Sequence, residues 1–330
     1  MKKYAVCMYG FLRTYKITSN ALITHVLKPN EADLFIFAPK HCGVSVIPKD
    51  VEINEFKKNN QDKMWQQDLS GSLVTEENLK EKYSSYLKDF LLYDYDFNFF
   101  IESAKNIETL YDRIIQKERV CSLLYNISGA IKLLKEYCIK SNIKYDGVIL
   151  LRPDLAFYED LDCSEIDMDK INIPTGGGII NKNFLASSNN FFVDYYKNAI
   201  EGILFRCNEH PFTDQMIISS FDNMLCLAQL FDNIEHYAEL KLPFHPETIL
   251  FYELCFRQKK KVSVLDSVVY EIFRNNYEPL ENGLMLVENN FFQLKSTKKI
   301  GLKQCIKSVF LPCRLVCSSM RRFIIWIFGG

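Results

Sequence analysis

Glycine is scarce in this chain, 13 of 330 residues, and it never falls in the spacing of a Walker loop or a dinucleotide-binding turn. A nucleophile elbow and a zincin helix are absent too, which removes the commonest hydrolase signatures. The eleven cysteines are odd in number and include no Cys-x-x-Cys pair, so they form neither a disulfide framework nor a zinc site. They read as reduced thiols of a cytosolic protein. No apolar run reaches the ~18 residues of a membrane span. The start, Met1 to Gly10, resembles a signal peptide only superficially, because its apolar stretch is short and runs into Arg13. The C-terminal stretch lacks acid: none follows Glu288, while eight Lys and Arg do. With −1 overall, this leaves residues 1–288 at −9. Such a balance gives no global pull toward nucleic acid.

What is present is ordinary globular composition, 48% apolar and 25% charged. Short apolar runs alternate with helical periodicity. Residues 4–9 and 32–37 read as buried strands around a helix at 18–27, the size of a βαβ unit. Residues 76–90 read as helix. The aromatics Tyr93, Tyr95, Phe97, Phe99 and Phe100 fit core packing better than sugar stacking. Val120, Leu124, Ile127, Ile131 and Leu134 give the clearest helix, over 119–140. Further helices are expected at 191–204, 213–230 and 247–258, the last with Pro246 ahead of it. Further strands are expected at 146–151, 171–174, 261–265 and 268–270. The alternation predicts an α/β fold with a mostly parallel sheet flanked by helices.

The strand at 146–151 ends in Arg152-Pro153-Asp154. Proline stops the ladder and delivers Asp154 to the carboxyl edge of the sheet, where α/β proteins bind ligands. A carboxylate there can hold Mg or Mn, and the metal a diphosphate. The plainer reading is a strand end with a salt-bridged arginine. Gly10, Arg13 and Thr14 follow the first strand, where glycine admits a ligand to the backbone and Arg13 suits a phosphate. Gly176 and Gly177, inside Thr175-Gly176-Gly177-Gly178, suit close approach of a substrate or a tight turn. Asp214 is either an acid in the first turn of a helix capped by Thr213, or a general base facing an acceptor hydroxyl. Glu247, in His245-Pro246-Glu247, is either a helix-start acid or a sugar contact. The tail at 298–328 places apolar residues on one helical face between cations, which suits an anionic membrane surface or a docked helix.

Taken together, Gly-x-x-Arg-Thr after a first strand, Ala32-Asp33-Leu34-Phe35-Ile36, the strand ending in Arg152-Pro153-Asp154-Leu155, and His245-Pro246-Glu247 resemble bacterial and viral sugar transferases of capsule and lipopolysaccharide clusters. The resemblance spans about residues 4–275. It implies a glycosyltransferase A-type fold, with a nucleotide half at 1–155 and an acceptor half at 156–290; the basic tail at 291–330 lies beyond the resemblance. It implies a nucleotide-sugar donor and a glycan or glycolipid acceptor, and the basic tail adds the expectation of a cytoplasmic enzyme peripheral to the inner membrane face. Gly10, Arg13 and Thr14 would lie near the nucleotide, Asp154 would stand for the metal-binding acid, and Glu247 would lie near the active site. Where relatives carry Asn-Asp, this chain has Asn181-Lys182. That departure favours a second reading, a catalytically inactive sugar-binding or scaffold subunit. A phosphotransferase joining sugar phosphates is a third, and it would need more cations around the glycine turn.

Overall fold

The computed structural model describes residues 2–43, 73–107, 117–174, 212–240, 242, 244–265, 268 and 270–272. All lie within the unit Met1–Tyr277. The glycine run at 175–178, the stretch 181–184, the helix expected at 191–204 and the basic tail fall outside the described residues. Among those residues, no helix is long and apolar enough to cross a membrane.

Strand β1, Tyr4–Tyr9, is buried along its whole length. Its neighbours are β2, Asp33–Pro39, and β4, Gly147–Leu151, both parallel to it. Side chains alternate across β1: Ala5, Cys7 and Tyr9 enter one core, and Tyr4, Val6 and Met8 the other. A strand flanked by strands and covered on both faces has no polar face, which explains its unbroken apolar run. β3, Leu87–Tyr93, adds a parallel edge next to β2 and is only half-buried. Beyond β4 come β7, Met216–Ser219, then β6, Ile171–Pro174, then β8, Val262–Leu265. β7 runs antiparallel to β4 and β6, while β6 and β8 pair in parallel. The seven-stranded sheet has the order β3-β2-β1-β4-β7-β6-β8. β5, Leu155–Phe157, and β9, Tyr270–Ile272, form a separate antiparallel ribbon. The fold is therefore α/β, a mostly parallel mixed sheet flanked by helices.

Helices α1, Tyr15–Leu22, and α2, Glu76–Tyr83, cover one face. α1 continues as a wider turn through Ile23–Leu27. The other face carries α3, Phe97–Ala104, and α4, Lys117–Ser141. α4 sits hard against β2: a Cβ on Gly129 would lie 2.3 Å from the Phe37 ring. The remaining helices are α5, Phe221–Met224, α6, Ile234–Glu239, and α7, Pro246–Phe251.

Two expected helices are corrected. The one at 76–90 ends at Tyr83, because Ser84 adopts φ 46° and turns the chain. Its second half becomes β3. The one at 213–230 is replaced by β7 and then α5, which starts late because Ser220 caps it by accepting from Asn223 N. Met216-Ile217-Ile218 is a short apolar run, and such a run is period-blind until its neighbours are known. Most of the aromatic cluster packs as expected, with Tyr95, Phe97 and Phe100 buried in the core around α4 and Tyr93 against it, while Phe99 is exposed.

Burial raises the phenols of Tyr9, Tyr83, Tyr93 and Tyr145 well above their ordinary value. Tyr145 is raised further by donating to Asp33 Oδ2 at 2.6 Å. A group whose folded pKa exceeds its unfolded one contributes stability fully present below the unfolded value, about 10 for tyrosine, and lost as pH rises beyond it. The expected outcome is alkaline unfolding above pH ~10, with the buried tyrosines ionising only as secondary structure is lost. Ultraviolet titration followed alongside circular dichroism checks this. Reversible ionisation of all tyrosines in the folded protein would contradict it.

Candidate active site

Parallel strands β3, β2, β1 and β4 fan out in an order that reverses between β1 and β4. The chain moves outward from β1 through β2 to β3, then returns through α4 to β4 on the opposite side. A crevice opens at the carboxyl ends of adjacent strands at such a reversal, and ligands of α/β sheets sit there. Here it is a cleft of about 210 Å³. That is below the ~300–1,000 Å³ of whole-ligand pockets, so it suits a fragment such as a diphosphate.

β1 and the turn after it supply Tyr9, Gly10, Phe11 and Arg13 to the cleft. Gly10 sits at φ 93°, a conformation glycine adopts without a Cβ penalty, and this lets the chain swing across the strand end. The Arg13 guanidinium lies 5.3 Å from the centroid of the Phe11 ring, and Phe11 packs on Tyr95 at 4.9 Å between ring centroids. The stack orients the arginine at low entropic cost.

β4 supplies Arg152, Pro153 and Asp154. The guanidinium grips the carboxylate with two bonds, Nε to Oδ1 at 2.9 Å and Nη2 to Oδ2 at 2.5 Å. Its Nη1 donates to Asp214 Oδ2 at 3.4 Å. Asp154 and Asp214 are buried and Arg152 largely so, with side-chain exposures of 6%, 11% and 13%. Burial disfavours the Arg152 charge, but Asp154 and then Asp214 outweigh it and hold the guanidinium charged well beyond its ordinary range. Tyr9 OH donates to the Asp214 carbonyl, which seals the floor. The phenols of Tyr9 and Tyr270 are raised chiefly by burial and then by Asp214.

Asp214 reaches this cluster because β7 runs antiparallel to β4. Its N-terminal end therefore lies at the same sheet edge as the C-terminal end of β4, with Leu151 opposite Met216. Thr213 does not cap a helix; its Oγ1 accepts from Gln215 N at 3.1 Å, tightening the turn that leads into the strand.

α4 supplies Arg119, Ser122, Leu123 and Asn126, one stripe at helical spacing. Sequence reading missed Arg119. Its signal was available: residues 119, 122 and 126 are polar, on a helix whose apolar stripe runs through 120, 124, 127 and 131. Asn126 is fixed by donating to Ser122 O at 2.7 Å and accepting from Tyr93 OH at 3.1 Å.

Of the residues singled out from sequence, Gly10, Arg13, Arg152, Asp154 and Asp214 meet in this one cleft. Thr14 is buried at the start of α1 and does not line it. Glu247 opens α7, ion-paired with His245 Nδ1, and also stands outside the lining, though its charge still acts on Tyr9. Gly176 and Gly177 lie outside the described residues.

No protein-family model matches this chain, and no curated protein does. Among solved structures, the galactosyltransferase LgtC, in complex with donor and acceptor sugar analogues, is 9% identical, with 81% of this chain and 74% of that one covered at a TM-score of 0.41. Core-mannan synthase A from Aspergillus fumigatus, in its Mn/GDP form, is 12% identical, with coverage of 82% and 74% and a TM-score of 0.45. The apo bifunctional glycosyltransferase WbbM is 11% identical, with coverage of 80% and 38% and a TM-score of 0.36. At these scores the likenesses carry no argument about what the chain does.

Proposed function

We propose that this chain is a glycosyltransferase of the A type that moves a sugar from a nucleotide-sugar donor to a surface-polysaccharide or lipopolysaccharide acceptor. The carrying observation is the cation-rich cleft at the β1/β4 reversal. Three guanidiniums, Arg13, Arg119 and Arg152, face two carboxylates there. Departure of a nucleoside diphosphate is the step at which negative charge develops, and fixed cations aimed at that position lower its barrier. In this reading Gly10 admits the diphosphate to the backbone and Arg13 pairs with it. Asp214 is the candidate base for the acceptor hydroxyl, and Glu247 with Thr14 supports the surrounding shell. The nucleotide half is residues 1–155 and the acceptor half 156–290. The basic tail at 291–330 attaches the enzyme peripherally to the anionic inner face of the membrane.

The family implies a divalent metal on Asp154. The residues present do not fit it: both Asp154 oxygens are engaged by Arg152, and among the described residues no group of three or more His, Cys, Asp or Glu is placed to hold a metal.

The inactive-subunit reading has one observation in its favour, since both acids of the cleft are ion-paired to the same arginine. A thermal-shift panel of UDP-, GDP-, CMP- and dTDP-sugars separates the two. A ligand that binds only the folded state raises apparent stability, by about 2.7 kcal/mol at a hundredfold excess over its Kd. Stabilisation by one nucleotide class, together with turnover of that donor, is the expected outcome. Stabilisation without turnover for any acceptor leaves the binding subunit. No stabilisation by any of them removes the transferase.

A further inference from the structure

Resting on that reading, we propose that the donor diphosphate is held by a metal-independent clamp of arginines, Arg13 with Arg119, and that Asp154 is a positioning residue for Arg152 and not a metal ligand.

The geometry of Asp154 carries the second half. A bound Mg or Mn ion takes one or two carboxylates and fills its shell with phosphate oxygens and water. Its protein ligand therefore needs an oxygen turned toward the ligand space. Asp154 turns both oxygens to Arg152, in a planar two-bond fork that matches carboxylate geometry. A metal could claim one of them only by breaking a buried, charge-assisted pair. Asp214 is drawn to the same guanidinium from the other side. The two acids share one guanidinium, and Asp154 spends both its oxygens on it, so the floor is an ion-paired cluster and not an open cation site.

The wall carries the first half. Arg13 and Arg119 approach from different elements, the turn after β1 and the first turns of α4. The first is oriented by its stack on Phe11, and the second projects from a rigid helix. With Arg152 they put three guanidiniums into the lining of one cleft. Guanidinium forks bind phosphate oxygens with two parallel bonds, so two of them can neutralise a diphosphate. The small volume of the cleft suits that fragment.

The test is a calorimetric titration of the full chain with inorganic pyrophosphate and with UDP, GDP and CDP, each in EDTA and again in excess Mn. Binding in EDTA is expected for pyrophosphate and for one nucleoside diphosphate, with affinity within about twofold when Mn is added. Arg119→Gln and Arg13→Gln should each weaken both ligands by about tenfold or more, the value of one charge-assisted pair. Asp154→Asn, which keeps the size and one acceptor for Arg152, should leave the metal-free binding measurable and Mn-indifferent. Pyrophosphate that binds without metal while no nucleotide binds would uphold the clamp and remove the nucleotide-sugar reading. Nucleotide that binds only with Mn, and is lost in Asp154→Asn, would overturn the clamp and keep that reading. Failure of every ligand under both conditions would overturn both. Circular dichroism of each variant confirms that the protein titrated is folded.

Discussion

Replacing Arg152 by methionine lowers the unfolding free energy by about 3–5 kcal/mol at neutral pH. The substitution leaves Asp154 and Asp214 buried, charged and without their shared cation. Taking one partner from a buried pair costs more than the pair contributed, because the desolvation of the remaining charge stands uncompensated. The pH dependence has a definite sign. With the guanidinium gone, burial raises the two folded-state carboxyl values above the unfolded ~3.9, so the folded variant binds protons more tightly than its unfolded chain. Its deficit is then full at neutral pH and shrinks as pH falls toward 4. Urea midpoints of wild type and variant across that range measure this. A deficit below about 1 kcal/mol, or one that grows on acidification, would show that the three side chains are solvated and not an ionic core.

Asp154→Ala is expected to reduce sugar transfer by at least about 100-fold, the cost of a misplacement near 1 Å at a reacting centre. The stability loss should be smaller than for Arg152→Met, because Asp214 still accepts from Arg152. Kinetics should therefore separate from folding: kcat/KM for the donor found in the thermal-shift panel collapses, while the circular dichroism spectrum is unchanged. Full activity in the folded variant would sink the assignment of this cleft. Restoration by Asp154→Glu, which keeps the charge on a longer stem, would assign the effect to the held guanidinium and not to side-chain size.

Much of the fold was legible because buried parallel strands announce themselves. Residues 4–9, 32–37 and 146–151 read as short, mainly apolar strands, and the structure makes them β1, β2 and β4, the spine of the cleft. α4 was legible from its period, and the arginine-proline-acid end of β4 from the chemistry of proline. β3 and β7 were not. Both are brief apolar runs next to helical stretches, and only the pairing of β3 with β2 and of β7 with β4 decides their state. Asp214 was named from sequence in a helical context, yet it comes to the cleft as the lead-in to an antiparallel strand. Arg119 was missed for a different reason. A single cation on a helix reads as a solvated face until the partner elements show which way that face is turned.

The antiparallel placement of β7 also sets when the cleft can exist. Arg152 and Asp154 leave the ribosome close behind α4, but Asp214 arrives 60 residues later and from the far side of β4. During synthesis those contacts cannot form before residue 214 has been made, whereas β1 and β4 are both already in the chain. Until then Arg152 has one carboxylate partner in place of two, and the Tyr9 hydroxyl has no carbonyl to bond. A chain still being synthesised thus carries the scaffold of a ligand crevice without its floor, and the crevice is finished only when synthesis has passed the middle of the protein.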